Sequence, residues 1–149
     1  MASADALYTP EVLALATELA DLPLDDGLPL QETARSRSCG STLTLGLASD
    51  ADGTIRRVGM KAQACAIGQA AAAIFAAAAP GRNLADIEAA ERAISAWLAG
   101  DGAMPDWPRL QAIAGARDFP GRHGAILLAW TAARMALAGG ALHQTSKPR

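Results

Sequence analysis

Apolar residues recur along this chain at two different periods, and the changes of period divide it into elements. Between Thr9 and Leu22, Val12, Leu13, Leu15, Ala16 and Leu19 form one helical stripe, with Pro10 suited to the first turn and Thr9 to the cap. Pro23, Asp25, Asp26, Gly27 and Pro29 make Leu22 to Leu30 a loop. Thr42 to Leu47 then alternates with period two, and Thr54 to Met60 is rich in β-branched residues. Asp50-Ala51-Asp52-Gly53 between them supplies the chemistry of a hairpin turn. Glu32 to Ser38 reads as a further, edge strand running into Cys39.

From Cys65 the helical period returns. Ile67, Ala71, Ile74, Phe75 and Ala78 share a face that Pro80-Gly81 ends. Asn83 can cap the next helix, with the stripe Leu84, Ile87, Ala90, Ile94, Trp97 and Leu98 closed by Gly100. Asp101 to Asp118 reads as a loop holding one helical turn at Leu110 and Ile113. A last helix runs from about Gly121 to Leu137, with Ile126, Leu127, Trp130, Ala133 and Leu137 inward. The three tryptophans read mainly as core anchors, with exposure left open for Trp107 between Asp106 and Pro108. Glu88 and Glu91 read as surface, and Asp50 and Asp52 as turn residues.

This order predicts a single α+β domain over residues 1–149, a small three-stranded antiparallel sheet with helices packed on one face. Its core spans about 9–138 and its tail, 139–149 with His143, frays and is solvated. A chain of 149 residues is long enough to bury a core without disulfides. A formal charge of -2 with no basic stripe sets aside nucleic acid and anionic membrane as main partners. The apolar run from Ala62 to Ala79 is mostly alanine, carries Gln63 and Gln69 and stops at Pro80, so it reads as a buried helix and not a membrane span. The N-terminus lacks a basic stretch followed by an apolar core. A cytoplasmic, reducing setting is therefore the expectation, with both cysteines as thiols.

Chemistry centres on those two cysteines, Cys39 and Cys65, and on His123. Cys39 opens a Cys-Gly-Ser turn, where Gly40 permits a left-handed backbone and close approach of N–H groups to sulfur. Cys65 stands at a strand-to-helix junction, at the positive end of a helix dipole, which suits an anion. Thiolates bind Zn²⁺ and iron–sulfur clusters, and imidazole also ligates zinc and iron. Arg35, Arg37, Lys61 and Arg122 are the cations near enough in sequence to offset thiolate charge. No phosphate-cradling glycine loop, metal-protease helix or nucleophile elbow occurs.

The arrangement resembles the U-type iron–sulfur scaffold family (IscU, SufU and the N-terminal domain of NifU). Arg37-Ser38-Cys39-Gly40-Ser41 matches that family's Cys-Gly-Asp turn, with Ser41 in place of the aspartate. Ala64-Cys65-Ala66-Ile67, following Asp52-Gly53-Thr54-Ile55, matches the second cysteine. Phe119-Pro120-Gly121-Arg122-His123-Gly124-Ala125 through Trp130 is similar to the SufU sequence Phe-Pro-Ala-Arg-Ile-Lys-Cys-Ala-Thr-Leu-Ala-Trp, which aligns Ala125 with the third cysteine. The resemblance covers roughly Ser36 to Leu137. It implies a scaffold and not an enzyme, with Cys39 and Cys65 binding iron, a nascent cluster or zinc, and His123 as a further candidate ligand. His123 precedes the lost cysteine by two residues, about 200° away on a helix, though an irregular turn would free it from that constraint. Implied partners are a cysteine desulfurase and iron–sulfur acceptor proteins; separately, two copies of the chain could complete a four-sulfur ligand set as a homodimer, with two thiolates each. Two alternatives stand beside this reading. One is a degenerate homologue that binds a desulfurase without holding a cluster. The other is a thiol-based sulfur acceptor with His123 as base.

Overall fold

The computed structural model describes residues 7–37 and 39–146, with side chains as far as 139. The side chain of His143 and residues 147–149 lie outside the described residues. The first helix, α1 (Pro10–Thr17), starts where Thr9 accepts a hydrogen bond from Val12 N at 3.1 Å, and a 3₁₀ turn carries it on through Asp21. Strands β1 (Leu30–Arg35), β2 (Thr42–Ser49) and β3 (Ile55–Gln63) form an antiparallel meander in the order β1-β2-β3. Asp50 closes the second hairpin, its carboxylate accepting from Asp52 N and Thr54 N while Gly53 takes a positive φ of 83°. A register shift at Ala48/Ser49 precedes that turn.

Helices α2 (Ala66–Ala78), α3 (Leu84–Leu98) and α4 (His123–Ser146) complete the domain. Asn83 and Asp86 form a reciprocal capping box at the start of α3. The segment Leu110–Asp118 is two short 3₁₀ stretches joined at a kink at Ile113 (φ -110°, ψ 18°), where the pattern predicts a single helical turn. Helix α4 continues through Gly139 and Gly140 to Ser146, beyond Leu137 where the pattern suggests an end.

One sheet face carries Leu43, Leu45 and Leu47, all buried, and α4 packs across it on β1 and β2. Helix α2 lies between α1 and α4, and its buried alanines Ala70 to Ala73 permit close approach. Phe75, Trp107 and Trp130 form the aromatic centre. Trp107 is buried and not exposed: its indole N–H donates to Ile74 O at 2.9 Å, and its ring stacks on Phe75. Glu91, expected on the surface, instead joins α3 to α4 by accepting from Thr131 and Arg134, each at 2.6 Å.

The opposite sheet face is half covered. Gly46 and Gly59 are cross-strand partners, and the buried Leu28 fills the space their missing side chains leave. The outer edge of β3 is occupied by loop backbone, with Met60 N donating to Leu22 O and Ile55 N to Arg82 O, both at 2.8 Å. Beyond this loop the face is polar, with Thr33 and Thr44 hydroxyls 2.7 Å apart.

Arg109 has a left-handed backbone (φ 69°) and reaches across to Glu18 with two hydrogen bonds of 3.2 and 2.9 Å. These bonds hold the Glu18 carboxyl below its ordinary value of 4.5. The two side chains are 43% and 42% exposed, so solvent screening keeps their contribution small. Glu18→Gln is expected to cost under ~1 kcal/mol in urea denaturation at neutral pH. A lowered folded-state pKa stabilises above 4.5 and is lost as pH falls through that lower value. The difference between the two proteins should therefore vanish in acid.

Candidate functional site

The sheet register explains how two cysteines far apart in sequence meet. Thr42, the first residue of β2, pairs with Gln63, the last of β3. The residues just before β2 and just after β3 therefore emerge side by side. Cys39, Gly40 and Ser41 on one side and Gln63, Ala64 and Cys65 on the other line a single shallow cavity of ≈ 330 Å³, with Arg122 completing its wall.

The β1–β2 turn is tied by backbone bonds from Ser36 N to Ser41 O (2.8 Å) and from Gly40 N to Ser36 O (3.0 Å). Gly40 has a φ of 72°, the conformation that favours glycine. The turn presents Cys39 at the surface. Its thiol donates to Ser36 Oγ at 3.4 Å and lies 3.0 Å from Ser41 Oγ. Ser41, aligned with the family's aspartate, is buried and supports the sulfur instead of offering an anionic oxygen. Cys65 is half-buried and is the N-cap residue of α2, though its sulfur makes no capping hydrogen bond. Gln69 steadies this junction: its backbone N donates to Cys65 O and its side-chain amide to Ala64 O.

His123 is not among the residues lining the cavity. Its Nε2 is 2.8 Å from Arg117 O, and since a carbonyl only accepts, Nε2 carries the proton and donates. One ring nitrogen is thus committed to the backbone of the preceding 3₁₀ segment. Ala125 is buried, with its Cβ 3.2 Å from where a side chain at Gly68 would begin. The third ligand position of the resemblance is thus a closed contact between α2 and α4. Among the described residues no group of three or more His, Cys, Asp or Glu is placed to hold a metal ion. The expectation of zinc lacks support, since a closed tetrahedral site needs four ligands and this cavity offers two thiols. Arg122 is the cation the structure brings to the sulfurs. No helix among the described residues is long and apolar enough to cross a membrane.

No family model matches the chain, and no curated protein matches it significantly. Solved structures do. It is similar to the N-terminal part of a nitrogen-fixing NifU-like protein from Brucella abortus, with a TM-score of 0.81 and 26% identity over 90% of this chain and 94% of that one. It is also similar to a candidate iron–sulfur cluster assembly scaffold protein for the SUF system from Fervidobacterium islandicum AW-1, with a TM-score of 0.78 and 18% identity over 91% and 99% of the two chains. A hypothetical protein matches with a TM-score of 0.66 and 20% identity, covering 85% of this chain and 96% of that one. The chain has the fold of the U-type scaffolds, and these neighbours support that family for it.

Proposed function

We propose that this protein is an iron–sulfur cluster assembly scaffold of reduced ligand set, in which Cys39 and Cys65 receive iron and sulfide. The observation that carries the reading is the convergence of both thiols on one surface cavity, produced by paired strand ends. The cluster is cargo, and the two thiols fit it in part, as two of the four sulfur ligands such clusters take. Ser36 and Ser41 orient the Cys39 sulfur, and Arg122 offsets the negative charge that bound thiolates bring. A cysteine desulfurase as sulfur donor and iron–sulfur proteins as acceptors are the partners this role requires.

Anaerobic loading with ferric iron and sulfide tests it. The wild-type chain is expected to develop visible sulfide-to-iron absorption, and Cys39→Ala or Cys65→Ala to lose at least about nine-tenths of it, since each removes half of the chain's thiolates. A wild-type chain that stays colourless would sink the reading. A second reading rests on the buried Ala125 contact: with its third ligand position closed, the chain would bind a desulfurase without holding a cluster. A tight complex with a desulfurase by an unloadable chain would favour it.

A further inference from the structure

The two margins of the sheet are finished differently. Along β3 the outward amides of Met60 and Ile55 are taken up by the carbonyls of Leu22 and Arg82. Along β1 nothing comparable occurs. Ser36 N donates to Ser41 O, and the antiparallel register carries that pattern back along the strand. It turns the backbone groups of Leu30, Glu32 and Ala34 toward β2. Those of Gln31, Thr33 and Arg35 therefore point away from the sheet. Among the described residues, no backbone or side-chain group bonds these outward N–H donors and carbonyls. The side chains of all three residues are exposed as well. An open edge of this kind is a template for another strand.

We infer that the strand added there is β1 of a second copy, antiparallel to the first about a two-fold axis between the two Thr33 residues. In this register the strand is self-complementary. Thr33 meets Thr33, Gln31 meets Arg35 and Glu32 meets Ala34, so every outward group finds a partner and no like charges face each other. Neighbouring registers are worse. A slide of one bonded pair toward the start sets Glu32 against Glu32, and sets Pro29, which has no N–H, against Arg35. A slide the other way sets Gln31 against Arg37, in the turn where the strand has already ended.

The helices have room for this pairing. Helix α4 packs on both β1 and β2, so its axis is set back from the margin. Two copies would stand about 10 Å apart across the axis, an ordinary helix-packing distance. The β1–β2 turns fall at opposite ends of the joined strands, so each copy keeps its sulfur cavity to itself. The pairing needs no metal, and it stands independently of the scaffold reading.

Sedimentation equilibrium of the full chain, reduced and with EDTA present, tests the inference. The expected result is a reversible monomer–dimer equilibrium with a dissociation constant on the order of 10–100 μM, because so narrow an interface binds weakly. Thr33→Pro removes an outward N–H and leaves the ladder to β2 intact. It is expected to weaken the dimer about tenfold or more with an unchanged circular dichroism spectrum. Thr33→Ala keeps the N–H and is expected to stay within about threefold of the parent. Gln31→Glu, opposite Arg35, is expected to tighten the dimer and Gln31→Arg to loosen it, each by about fivefold over the two symmetric pairs. A chain that stays monomeric up to about 1 mM would overturn the inference, even where an extended segment of another protein then occupied the edge. A dimer indifferent to Thr33→Pro, or moved the same way by both Gln31 variants, would overturn it too, because another surface would hold it.

Discussion

Gly59→Ala is expected to lower stability by about 3 kcal/mol, or roughly 10 °C in Tm for a chain of this size. A Cβ at Gly59 would stand 2.3 Å from the backbone oxygen of Pro23 and 2.5 Å from Leu28 Cδ1. The leucine can rotate, but the carbonyl belongs to the loop whose preceding carbonyl, Leu22 O, accepts from Met60 N. Relief of the clash therefore pulls that bond apart. Two companions calibrate the effect. At Gly46 the nearest atoms are Leu28 Cβ at 2.9 Å, which moves only with its own backbone, and Leu24 Cδ2 at 3.0 Å, which can swing aside; the overlap is milder than at Gly59, so Gly46→Ala should cost about 1–2 kcal/mol. At Gly53 nothing lies within 4 Å and only the positive φ opposes a side chain, which costs about 1 kcal/mol. Urea denaturation of the three variants should return that order. Gly59→Ala no worse than Gly53→Ala would mean the Pro23 loop is not seated on the sheet.

Trp107→Ala should be at least as damaging, at about 3–5 kcal/mol. The indole is buried and meets Phe75 in a stack at 5.7 Å and Trp130 edge-on at 5.2 Å. The Arg82 guanidinium carbon lies 4.0 Å from its ring centre. The ring thus helps to fasten the long loop after α3 to α2, beside the buried Leu110 and Ile113. Trp107→Phe keeps most of the stacking but gives up the bond to Ile74 O, so it should lose only about 1–2 kcal/mol. Denaturation midpoints of the two variants separate packing from hydrogen bonding. A Trp107→Ala chain as stable as the parent would show the loop to be held by other contacts.

How far the sequence could be read depends on the range of the contacts involved. Thr9, the Asp50 to Gly53 turn and the Asn83 cap act over a few residues, and each sits where its local chemistry places it. The α+β meander follows from the change of period at Cys65. The meeting of Cys39 with Cys65 was legible through the hairpin, because paired strands bring their flanks together. Contacts made at long range were not. Trp107 sits in a loop sequence of prolines and aspartates, and only packing on Phe75 buries it. Glu91 looks like a solvated carboxylate until Thr131 and Arg134, forty residues on, close around it. Arg122 reaches the cavity from the 3₁₀ turn Pro120–Arg122 just before α4, while its neighbour His123 bonds the backbone behind it. A one-residue difference in direction on an irregular turn is beyond any periodicity. The Gly46–Gly59 pair carried a signal in two glycines inside strands, but its occupant, Leu28, comes from a loop without pattern.

The loop backbone seated along β3 also bears on solubility. An unpaired strand margin invites another chain to add itself as the next rung, the first step of fibrous polymerisation. Here Leu22 and Arg82 already take up amides along that margin, which discourages lateral growth there.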